Sequence, residues 1–217
     1  SWTDLRRMNT LLEYADMCED KEAVTKYTAV TRFFRAFFYF EKVKRFGDVP
    51  WYDIQLGSAD ELLYKPRDSR ELILTKMLED IDYAINSGGL TESAADPYHV
   101  NKWAALALKA QFCLYEGTYR KYHNLNLDGH DANFYLDLAA KAALEIIEKG
   151  PYKLYQTGHP EKDYLTLFAQ KDASPEEYIL AIKFDYAIGA RHNASAYTLL
   201  PTQGRPGLTR KFINTYL

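Results

Sequence analysis

A chain of 217 residues, 47% hydrophobic and 15% aromatic, is long enough to bury one substantial core and too short to demand two domains. Its net charge of -3, with acidic and basic residues spread along its length, offers no basic field to phosphates, which excludes nucleic-acid binding as a function class. No run approaches the roughly 18 consecutive apolar residues of a membrane span.

Taken in chain order, Ser1-Trp2-Thr3-Asp4 runs straight into a helical pattern. Cys18 and later Cys113 fall in apolar, helix-like segments without metal spacing and read as small buried hydrophobes. Next, Tyr27, Val30, Phe34, Phe37 and Phe38 form one apolar stripe, and Ala29, Phe33, Ala36, Phe40 and Val43 a second. Arg32, Arg35 and Lys42 occupy the remaining strip. A helix with two apolar stripes is packed on two sides, so Phe33, Phe34, Phe37, Phe38 and Phe40 are expected in the core, each contributing roughly 1.5–3 kcal/mol on full burial. Gly47 and Pro50 end it.

Asp68-Ser69 offers an N-cap to a second helix carrying Leu72, Ile73, Met77, Ile81, Ala84 and Ile85, which closes at Gly88-Gly89. Glu79, Asp80 and Asp82 read as its solvated face. A third helix starts near Asn101 and a fourth near Asn133, the latter ending at Gly150-Pro151. "RAFFYF" at 35–40 and "KAQFCL" at 109–114 share a basic-Ala-x-Phe-x-apolar frame. Two such helix pairs, about 22–88 and 101–150, resemble tetratricopeptide repeats, although the connections 48–67 and 121–132 are far longer than a repeat's tight turn. After a short helix from Lys162 to Gln170, the alternation in "EEYILAIKFD" predicts a strand over 177–185. Periodicity then vanishes, and Gly189, Pro201, Gly204 and Pro206 mark an irregular loop over 186–207. Leu208 to Leu217 reads as an amphipathic helix without a cap. The whole is expected to be a single helical domain excerpted from a longer protein and lacking N- and C-terminal parts.

"TRFFRAFFYFEKVKRFGDVPWYD" is similar to the signature helix of SusD/RagB-type outer-membrane lipoproteins, through Arg35-Ala36 and Phe46-Gly47-Asp48-Val49-Pro50 above all. "NKWAALALKAQFCLYEG", "AAKAALEIIEKGPYKLY" and "EEYILAIKFD" then follow in that family's order, so the resemblance spans essentially the whole sequence. It implies an all-α, tetratricopeptide-like fold with long loops and a minor strand. In function it implies a lipid-anchored binding subunit on the outer face of the outer membrane, its signal peptide and lipidated cysteine lying upstream. Such a subunit captures oligosaccharide, or in some members another nutrient, and delivers it to a TonB-dependent, SusC-like transporter. It is not an enzyme and takes no cofactor.

Sugar recognition needs flat aromatic faces against pyranose C–H groups, flanked by planar hydrogen-bonding side chains. The late loop supplies Tyr186, Arg191, His192, Asn193 and Tyr197 within twelve residues, and these are the candidate ligand-binding residues. Trp51, beside Tyr52, joins them as a ring that either meets ligand or packs its loop onto the scaffold.

Catalytic and metal patterns are missing. "NLNLDGHDANFY" at 124–135 half-matches a calcium loop, but Asn124 stands at the first ligand position and Tyr135 at the twelfth, so a turn-rich loop is expected and no metal. His99, His123, His130, His159 and His192 show no ligand spacing, and no phosphate loop, G-x-S-x-G elbow or H-E-x-x-H helix occurs. Two rival readings remain: a helical-repeat adaptor for a protein segment, and, with less support, a glycoside hydrolase.

Overall fold

A computed structural model describes residues 1–203 and 207–215. Gly204 and Pro206 of the expected loop, and the last two residues of the terminal helical pattern, lie outside them. The chain divides into two compact units, Ser1–Ala181 and Ile182–Leu217, where the sequence predicts one domain.

The first unit is all-α. Six helices make it: α1 (Trp2–Tyr14), α2 (Lys21–Phe46), α3 (Arg70–Asn86), α4 (Lys102–His123), α5 (Ala132–Lys149) and α6 (Pro160–Ala169). Side-chain caps place five of the starts: Ser1, Asp20, Ser69, Asn101 and Asp131 accept from the backbone N–H of Thr3, Ala23, Leu72, Ala104 and Phe134. α2 stops where the sequence says it must. Gly47 adopts φ +70°, a conformation glycine takes without steric cost, and its N–H donates to the Val43 carbonyl. No helix among the described residues is long and apolar enough to cross a membrane.

α2 packs on α3 and α4 on α5, with α1 laid against α2 and α3 against α4. The stripe Ala29, Phe33, Ala36, Phe40 and Val43 is buried, together with Ile73, Met77, Ile81, Phe112 and Tyr135 from the neighbouring helices. The other stripe of α2 is not core throughout. Phe34 and Phe37 are each 44% exposed, because the thirteen-residue α1 covers only part of that face, where Phe38 meets Trp2 edge-on at 5.4 Å.

Small residues set the close approaches. A Cβ at Gly117 of α4 would stand 2.7 Å from Leu136 Cγ and 3.0 Å from the Ala132 carbonyl oxygen of α5. At Gly89 it would meet the backbone oxygen of Thr25 at 2.4 Å. Gly89→Ala is therefore expected to destabilise by about 1–3 kcal/mol, since backbone rather than a movable side chain must yield. A thermal melt unchanged by that substitution would show that the α3–α4 connection does not press on α2 as described.

Two charged groups expected at the surface are inside. Arg35, assigned to the solvent strip, lies against Asp80 of α3, donating from Nε at 2.6 Å and Nη2 at 2.8 Å to the two carboxylate oxygens. Asp80, read as part of a solvated face, is buried with it. Arg35 Nη1 also donates to Asn9 Oδ1 at 3.1 Å, and Asn9 Nδ2 donates to the carbonyls of Tyr52 and Ile54. Of the cysteines only Cys113 is buried; Cys18 is exposed, because the chain there has left α1 and not yet begun α2.

The strand expected over 177–185 is not formed. A strand needs a partner ladder, and here single contacts replace it: Ala181 N–H donates to the Pro97 carbonyl at 2.8 Å, and Lys153 N–H to that of Glu176 at 2.9 Å. Among the described residues the only β pairings are isolated bridges.

The second unit holds α7 (Ala194–Leu199) and α8 (Arg210–Ile213), joined through a short 3-10 turn at Pro201–Gln203. Among its described residues, the loop expected over 186–207 thus contains an α-helix of six residues and the 3-10 turn. None of the unit's described residues is buried.

Candidate functional site

In the second unit the chain doubles back on itself. Asp185 and Ala190 form an antiparallel bridge, the Asp185 N–H donating to the Ala190 carbonyl at 2.9 Å, and Gly189 supplies φ +75° in the turn between them. This brings Arg191 back over Tyr186, its guanidinium carbon 3.9 Å from the ring centroid. Tyr186 is 77% exposed, so the guanidinium holds the ring while leaving it open to solvent. The His192 ring meets Phe184 edge-on at 4.9 Å, and its Nδ1 accepts from the Ala194 N–H at 3.3 Å. Asn193 precedes α7 without capping it by side chain, and Tyr197, on α7, is half-exposed. Five of the six sequence-selected residues therefore share one short unit, with two accessible phenol rings and a cation held over one of them.

Trp51, the sixth, belongs to the first unit and lies in its core at 6% exposure. Its ring stacks on Tyr39 at 4.3 Å, its backbone N–H donates to the Asp68 carboxylate at 2.7 Å, and its carbonyl accepts from Lys65 Nζ at 2.7 Å. It packs the loop onto the scaffold and offers no face to a ligand. Burial acts against ionisation of Asp68, yet the Lys65 ammonium and the Trp51 N–H together hold its carboxyl below the usual value.

Sequence reasoning missed a concave site in the first unit. The connection from Pro50 to Leu63 curls over α1, held by Asn9 and by the Tyr52 N–H donating to Tyr39 Oη at 2.7 Å. Between them opens a pocket of about 520 Å³, whose lining includes Trp2, Arg6, Tyr52, Ile54, Ser58 and Leu63. The Trp2 and Tyr52 rings meet edge-on at 5.9 Å. The one sequence signal that pointed here was the excessive length of the 48–67 connection. A second groove, about 470 Å³, runs between α1 and α2 and is floored by Met8, Phe34, Phe37 and Phe38, which accounts for the two exposed phenylalanines.

The remaining polar cluster is structural. Arg70 and Glu71 at the start of α3 meet Glu116 and Arg120 of α4 in a buried square of alternating charge. Arg70 Nε reaches both Glu116 oxygens at 3.0 and 2.8 Å, Arg120 Nε reaches Glu116 Oε1 at 2.7 Å, and Arg120 pairs with Glu71. His130 also bonds Glu71, and its carbonyl accepts from Arg120, so the 124–131 turn is clasped to both helices. Asn124 and Asp128 there adopt positive φ, and no group of three His, Cys, Asp or Glu side chains converges on a metal position among the described residues. The Cys113 thiol, pushed up to about 12 by burial, is no nucleophile.

Comparison with known proteins bears on the family. Residues 1–102 match the model of the SusD-like_2 family, described as "Starch-binding associating with outer membrane". Among solved structures, a SusD-like protein from Bacteroides fragilis aligns at 27% identity and TM-score 0.64, over 83% of this chain and 31% of its own. A structure solved with a xylogluco-oligosaccharide aligns at 22% identity and TM-score 0.63, over 85% of this chain and 34% of its own. Surface glycan-binding protein A from Bacteroides uniformis shares the fold at 19% identity and TM-score 0.52, over 75% of this chain and 36% of its own. The chain spans about a third of the length of these proteins. No curated protein sequence matches it.

Proposed function

We propose that the chain, similar to the SusD-like_2 family over residues 1–102 and to SusD-like proteins in fold, is part of a cell-surface glycan-binding protein that captures oligosaccharide and passes it to a TonB-dependent, SusC-like transporter. The protein is held at the outer membrane by a lipid anchor upstream of these residues. It binds and does not cleave. The ligand surface in this reading is the exposed turn and helix carrying Tyr186, Arg191, His192, Asn193 and Tyr197.

The observation that carries the site is the pairing of Arg191 with Tyr186. A guanidinium 3.9 Å above a phenol ring fixes the ring's orientation before any ligand arrives, and an orientated, solvent-facing ring stacks a pyranose at little entropic cost. His192, Asn193 and the Tyr197 phenol then stand within a few residues to satisfy hydroxyl groups. The family description and the saccharide-bound neighbour support a glycan as ligand.

Tyr186→Ala and Tyr197→Ala are each expected to weaken retention on a polysaccharide affinity gel by about tenfold, the equivalent of one lost stacking contact of about 1.4 kcal/mol, with the melting temperature unchanged. Undiminished retention in both variants would remove the ligand from this unit. Release of reducing sugar by the purified protein would instead favour a hydrolase.

A further inference from the structure

We propose that the pocket between α1 and the 50–63 loop is a second saccharide site, specific for a sugar that carries a carboxylate. The site stands on its own geometry; only the choice of a sugar among carboxylates rests on the glycan-binding reading above.

Three features of the pocket define the ligand. Its volume, about 520 Å³, lies within the range of pockets that enclose small molecules, roughly 300–1,000 Å³. Trp2 and Tyr52, edge-on to each other at 5.9 Å, give it aromatic surface at two orientations, which suits a puckered ring with one apolar face better than a flat aromatic ligand. Arg6 supplies the charge. Arg6 is one of the lining residues and forms no ion pair with a carboxylate among the described residues, unlike Arg7, one residue on, whose Nη1 lies 3.8 Å from Asp4. A planar fork of donors beside apolar walls is the arrangement that binds a carboxylate through two parallel hydrogen bonds, and Thr3 and Ser58 are the hydroxyl residues of the same lining.

The pocket is also built rather than incidental. The buried Asn9, itself a lining residue, ties the loop wall to the core: Nδ2 donates to the Tyr52 and Ile54 carbonyls at 2.9 and 3.1 Å, and Oδ1 accepts from Arg35 of α2. Tyr52 Oη donates to the Leu62 carbonyl at 3.0 Å, closing the loop on itself. Among the described residues no acidic side chain lines the cavity to repel an anion.

The test is isothermal titration of the full-length protein with trigalacturonate, with its methyl ester, which has the same rings without charge, and with neutral maltotriose. Trigalacturonate is expected to bind more tightly than its ester. Arg6→Gln should cost about tenfold or more in that affinity, the loss of a charged hydrogen-bonding partner, while Arg7→Gln, outside the pocket, should cost nothing. Both arginines are exposed, so both variants should melt with the wild type. Equal affinity for acid and ester, or full acid affinity in Arg6→Gln, would overturn the proposal. So would a complete lack of binding to trigalacturonate. In that last case retention of a neutral polysaccharide through Tyr186 leaves the glycan-binding function standing, and loss of all saccharide binding removes both.

Discussion

Glu116→Ala is expected to destabilise the chain by about 3–5 kcal/mol, read as a shift in the midpoint of urea unfolding. Glu116 is 0% exposed and divides its carboxylate between Arg70 and Arg120, of which Arg120 is likewise wholly buried. With the carboxylate gone, two cations remain inside and, among the described residues, only Arg120 keeps an ion pair, with Glu71; an uncompensated buried charge costs far more than the pair contributed. The asymmetry supplies the control. Replacing Arg70, Glu71, Glu116 and Arg120 together by apolar residues of similar volume should be much milder than the single change, because no charge is then stranded. A single substitution costing under about 1 kcal/mol would mean that water reaches the square and that it is not a core element.

Phe40→Ala should cost about 3–5 kcal/mol and Phe37→Ala under about 1 kcal/mol, although the two lie three residues apart on one helix. Phe40 is buried against Phe112 at 6.1 Å and Tyr115 at 5.7 Å, so truncation leaves a cavity that the α2–α4 contact cannot close. Phe37 lines the groove between α1 and α2 and already meets solvent. Paired denaturant titrations separate them; equal losses would show that the exposed stripe of α2 is covered in solution.

The helices were legible because their signals are local. Asn101 and Asp131 cap as their side chains allow, and Gly47 with Pro50 can end α2 in only one way. The burial of one stripe of α2 followed from spacing, whereas the half-exposure of the other did not, since spacing says which residues share a face and not how long the neighbouring helix is. The same limit explains Arg35 and Asp80. Each reads as a surface charge within its own helix, and only the crossing of α2 and α3 turns them into a desolvated pair. The expected strand at 177–185 failed for the complementary reason: alternation is a property of the segment, but a ladder is a property of two. Of the candidate site, the cluster from Tyr186 to Tyr197 was selected by composition within a short loop. The Trp2 and Arg6 pocket was not, because its walls are some fifty residues apart in sequence and meet through Asn9, whose importance no pattern announces.

The hydrogen-bonded line from Asp80 through Arg35 and Asn9 to the carbonyls of Tyr52 and Ile54 makes the 50–63 segment a cantilever anchored in the third helix. Its free span is short and its clamp is dry. Substitutions among the rim residues can therefore reshape the pocket without disturbing the mount, while a change at the clamp, remote from the opening, would loosen the whole rim at once.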